Sequence, residues 1–189
     1  STVLESEVAF IRLPGGAEWL GFRDVRRADH KNVASHGISI GEVLTSAAGD
    51  MTKAHAIAQA SARYNLGLPR TVNVPTAPLD IIHPRHRAAH TYELLGRERV
   101  GGTATVIVGF VEVARPTLVK EPSGKDLISS ARIWIAPETG GLWGAEWIYQ
   151  AEYRAGGAPP PPRLRVEFEP HELGCMVPTT MTEVFAVPI

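Results

Sequence analysis

Four aromatic residues at odd positions of one short stretch, Trp143, Trp147, Tyr149 and Tyr153, constrain this chain more than any other feature. They follow a first arm, Ser-Ala-Arg-Ile-Trp-Ile at 130–135, and a turn, Pro137-Glu138-Thr139-Gly140, so 129–153 reads as strand, turn, strand. Successive strand side chains point to opposite faces, and the four rings share one face if the strand stays regular. Each ring buries about 150–250 Å², worth roughly 4–6 kcal/mol as an upper bound at about 25 cal/mol per Å². A core or a ligand wall is expected here.

The elements around this block are mostly β. Segment 6–13 and Trp19–Ala28 read as a strand pair about Pro14-Gly15-Gly16. The return arm mixes Trp19, Gly21, Arg23 and Val25 on one face with Leu20, Phe22, Asp24 and Arg26 on the other, which suits an edge or a rim. Asp29-His30-Lys31-Asn32 is a turn. Strands are expected over 69–74, His90–Arg99, Thr103–Arg115, 163–169 and 176–187, with a helical turn over Ala77–Ile82. Val106, Ile107, Val108, Phe110 and Val111 make the long strand apolar on both faces, which predicts a central strand covered on both sides. Segment 116–127 reads as a loop or protruding hairpin around Pro122-Ser123-Gly124-Lys125. Pro159–Pro162 is a stiff connection between strands, although a polyproline tract can also dock on an aromatic groove.

One helix stands out. Asp50 is an N-cap, Met51–Leu66 holds no Gly or Pro, and Gly67 stands at the C′ position. One side at helical spacing (Met51, Ala54, Ile57 or Ala58, Ser61, Ala62) is mostly alanine and permits close approach to a sheet. The chain is therefore expected to be α+β: a curved, unclosed antiparallel sheet, or half-barrel, with one main helix on its concave face. The 189 residues suit a single domain over 1–189.

Composition excludes several classes. A net charge of −1 gives no basic excess for nucleic acid, and the arginines fall in small groups. No apolar run approaches the length of a membrane span. The single cysteine, Cys175, closes no intrachain disulfide and reads as a buried small hydrophobe. The chain starts without Met and without a signal pattern, so it reads as processed or as a piece of something longer.

Chemistry-bearing constellations are sparse. His83, His86 and His90 have zinc-like helical spacing, with Asp80 as a fourth candidate, but Pro84 interrupts the helix they need. Asp80 with His83 has no recognisable nucleophile beside it. Glu112 and Glu146 are read as pairing with arginines such as Arg115 or Arg132 across strands rather than with each other. No P-loop, dinucleotide fingerprint or nucleophile elbow occurs, and no metal or cofactor is assigned.

The order of motifs resembles the LolA/RseB-like superfamily, and within it secreted acidobacterial proteins. The strand pair comes first, then an Ala-rich helix running into Ala62-Arg63-Tyr64-Asn65-Leu66-Gly67, then a meander holding Trp134-Ile135-Ala136-Pro137-Glu138-Thr139-Gly140. The family usually carries Asp where this chain has Ala136. That superfamily comprises periplasmic lipoprotein carriers and lipid-binding lipoproteins built as half-barrels. The resemblance implies a periplasmic or secreted, non-catalytic binder of a hydrophobic small molecule or a lipidated protein. Trp143, Trp147, Tyr149, Tyr153, Phe110 and Ile57 are the expected wall of the site. The relatives' extra structure before residue 1 and after 189 would leave sheet edges unpaired here. Assembly through those edges is the alternative, and a metal-dependent enzyme at His83/His86/His90 a second one.

Overall fold

A computed structural model describes residues 3–12, 19–33, 75–120, 123–150 and 163–184, and divides the chain into two compact units, Ser1–Asn65 and Leu66–Ile189. The helix expected at 51–66, the strand at 69–74, the Pro14-Gly15-Gly16 turn and the proline tract lie outside the described residues, as do Ile57 and Tyr153.

In the first unit, β1 (Leu4–Arg12) pairs antiparallel with β2 (Trp19–Ala28), and β3 (Lys31–Asn32) adds a short third strand. The tight turn is Asp29-His30 alone, both at positive φ, while Lys31 and Asn32 pair back onto Ala28 and Arg27. Among the described residues β2 is thus flanked on both sides only at its last two positions, which accounts for its mixed pattern. Arg26 bridges Glu7 at 2.8 Å and Asp24 at 3.2 Å.

The second unit is a six-stranded meander in chain order, with every neighbour antiparallel. Its strands are β4 (His90–Val100), β5 (Thr103–Glu112), β6 (Ile128–Ile135), β7 (Leu142–Gln150), β8 (Arg163–Pro170) and β9 (Met176–Val184). The sheet is open, with β4 and β9 as its edges. Short loops fix this order. Gly101 and Gly102 sit at φ +56° and +82°, the positive torsions a two-residue hairpin demands, and Val100 then faces Thr103. After β6, Gly140 N–H donates to the Ala136 carbonyl at 2.8 Å, so the turn closes through its backbone without an aspartate at 136.

Alternation assigns the two faces. Arg163–Pro170 buries Leu164, Val166 and Phe168 and exposes the residues between them, as its sequence pattern demands. Along the register, Phe110, Ala131, Trp147 and Leu164 stand in one row, and Val108, Ile133, Ala145 and Val166 in the next. With Tyr149, Leu142 and Phe168 they build the core face. Helix α1 (Ala77–Ile81) brings Ile81 onto it.

The segment after β5 closes as a hairpin, Lys120 pairing antiparallel with Asp126, with residues 123–125 exposed and its base packed on the core. Leu127 N–H donates to the Val119 carbonyl at 3.1 Å, and both side chains are buried in the core. Glu112 anchors this strap: one carboxylate oxygen accepts the Leu118 N–H at 2.7 Å, the other the Ser129 hydroxyl at 3.0 Å. Glu112 therefore serves backbone and hydroxyl donors, not Arg115.

Candidate functional site

The aromatic strand is interrupted where regular alternation would have continued. Trp134 faces Gly144 but Ile135 faces Leu142, so Trp143 is an extra residue in the ladder, a β-bulge. The bulge hands the core position to Leu142. Trp143 is half-buried instead, its ring where a Cβ on Gly101 would approach it to 2.9 Å. Trp147 and Tyr149, 2% and 1% exposed, stack at a centroid distance of 5.5 Å within the core. Phe110 is buried beside them and meets His90 edge-on at 5.5 Å. Among the described residues the expected wall is thus packed core, except for Trp143.

The three histidines separate because the proline acts as expected. His83 caps a 3-10 turn, Pro84–Ala89, and its Nδ1 accepts the Arg85 N–H. His86 lies within the turn, while His90 opens β4, buried, with Nδ1 at 3.0 Å from the His86 carbonyl. Among the described residues no three His, Cys, Asp or Glu side chains converge as a metal would need. Cys175 is exposed, not buried: it closes the β8–β9 turn, where its carbonyl accepts the His171 N–H at 2.8 Å.

The opposite face of the meander holds a groove of about 710 Å³. The same register builds it, one residue out of phase with the core. One row runs Thr91, Val111, Ser130, Ile148, Arg163, and the next Glu93, Gly109, Arg132, Glu146, Arg165. Gly109 leaves the floor without a side chain, and Leu95, the extra residue of a bulge in β4, folds over it: a Cβ there would meet Leu95 at 2.8 Å. Among the described residues, the long strand β5 is therefore not covered on both sides. Val111 remains 42% exposed, as part of the groove.

The groove's polar end is ordered. Glu146, 3% exposed, accepts Arg132 Nε at 2.9 Å and Nη2 at 2.6 Å, with Arg163 Nη1 at 3.6 Å. The expected Arg132–Glu146 pair is present, and Glu112 lies on the other face. The guanidinium groups of Arg132 and Arg165 both stand over the Trp134 ring, at 5.5 and 5.3 Å from its centre, and the indole Nε1–H donates to Glu98 at 2.8 Å. Gly144 gives the indole room, since a Cβ there would come to 3.3 Å. This bracing keeps Arg132 in place.

Of the described residues expected to form a site, Phe110 alone also borders the groove. The sequence does not single out Leu95, Ile148 or Arg163, because their meeting on one face with Val111 and Arg132 depends on the register of five strands. The signal that could have found them is Gly109, a lone glycine inside an apolar strand, which marks a close approach. No protein-family model, curated protein or solved structure matches the chain.

Proposed function

We propose that this protein is a non-catalytic binding protein for a hydrophobic small molecule or the acyl group of a lipidated partner, held in the groove rather than against Trp147 and Tyr149. The observation that carries this reading is the groove itself. Its volume, about 710 Å³, lies within the range of small-molecule sites, and Leu95, Val111 and Ile148 line it beside a few fixed polar groups. The half-barrel, with the 51–66 helix on its hollow side, and the periplasmic or secreted location belong to the same proposal. The first is supported by the sequence pattern and the resemblance, the second by the resemblance alone.

Edge-to-edge assembly is disfavoured by two observations. The bulge at Leu95 lies in one edge strand, and Thr179 is an extra residue beside Pro178 in the other. Bulges and proline blunt an edge against a further strand. Titration with lauryl alcohol, followed by calorimetry, tests the binding reading. Saturable binding is expected, weakened tenfold or more in Ile148→Lys, which places a charge in the half-buried row. No binding by the wild-type protein would overturn it.

A further inference from the structure

We infer that the groove selects a ligand whose apolar chain ends in a single negative charge, a carboxylate above all, seated on Arg163 and Arg132. This deepens the binding reading and rests on it. The row Val111, Ser130, Ile148, Arg163 crosses four neighbouring strands, so a path about 14 Å long, three strand spacings, runs from Val111 past Ser130 and Ile148 to a guanidinium. Ile148 stands directly opposite Arg163.

Arg163 is half exposed, and its nearest approach to Glu146 is 3.6 Å, longer than a hydrogen bond. Arg132 is 44% exposed, with Nε and Nη2 committed to Glu146. Both guanidinium groups thus keep donors for an incoming anion. A guanidinium presents five N–H donors in a planar fork matched to a carboxylate. Glu146 pairs with one of the two guanidinium groups and fixes Arg132 before anything binds. A site ordered in advance loses less freedom on binding.

The far wall sets the polarity. Glu93 stands on β4, two strands from Arg132 across Gly109. That separation of about 10 Å puts a negative charge at the end where the apolar tail would lie and disfavours a second anionic group there. The ligand is therefore oriented, its acid end at β7–β8 and its tail toward Leu95.

The test compares laurate with lauryl alcohol, equal in chain length and different in charge. The wild-type protein is expected to bind laurate at least tenfold more tightly. Arg163→Gln leaves Glu146 held by Arg132, and should remove that preference while binding of the alcohol stays the same. Glu146→Gln frees donors on Arg132 and should strengthen laurate alone; circular dichroism checks that each variant is folded. Equal binding of the two ligands by the wild-type protein, or an equal loss of both in Arg163→Gln, would overturn the charge selection and leave the groove reading standing. Binding of neither overturns both.

Discussion

Removing the Glu112 carboxylate should loosen the strap that closes the core face. The Glu112→Ala change takes away two hydrogen bonds to a charged acceptor, from Leu118 N–H at 2.7 Å and Ser129 Oγ–H at 3.0 Å. Bonds of this kind contribute about 1.5–3 kcal/mol each, and donors left buried carry a desolvation penalty of their own. Against this, a carboxylate 3% exposed no longer has to be kept from water, a relief of several kcal/mol. The balance is a net loss of about 2–4 kcal/mol. Glu112→Gln keeps the shape and an acceptor for Leu118, and its amide can donate to the Ser129 hydroxyl. It should stay within about 1 kcal/mol of the wild type, since neutral bonds are weaker but no charge is buried.

Because the chain has two compact units, a global melt mixes their transitions, and amide hydrogen exchange is the sharper assay. The amides of Leu118 and Leu127 should exchange roughly thirtyfold to a thousandfold faster in Glu112→Ala, the range that 2–4 kcal/mol implies at about 1.4 kcal/mol per decade. Amides in β8 should change less. Equal acceleration in Glu112→Gln, or none in Glu112→Ala, would refute the reasoning, because the carboxylate would then not be what holds the strap.

Two further outcomes follow from the sheet. Gly101→Ala should cost more than Gly102→Ala in urea unfolding: both are strained by positive φ, but only at Gly101 does the new methyl meet the Trp143 ring, at 2.9 Å. Equal costs would mean that Trp143 moves away freely. Trp134→Phe loses a hydrogen bond to Glu98 as well as volume, whereas Trp147 Nε1 has no partner among the described residues. Trp147→Phe should therefore cost only the packing of the lost ring, about 1–2 kcal/mol, and a larger penalty would reveal a bond to that nitrogen.

The order and type of the elements in the second unit were legible because their causes are local. Alternation over Arg163–Pro170, the glycine pair at 101–102 and the Pro137–Gly140 turn each depend on neighbours one to four residues away. The Arg132–Glu146 pair was legible for the same reason, since one hairpin register decides it. Where the signal is non-local, the reading failed. No pattern within Leu142–Gln150 announces that Trp143 is extra to the ladder; that depends on how two strands match in length beyond Trp134. The burial of His90 likewise depends on what lies across the sheet, whereas Cys175 is exposed because it sits in the β8–β9 turn. An even-numbered residue and its odd-numbered neighbour are separated by the chain alone, but which side becomes core and which becomes groove is decided by packing. The hydrophobic effect acts on the summed area of all six strands, and only the assembled register says which side chains contribute to it.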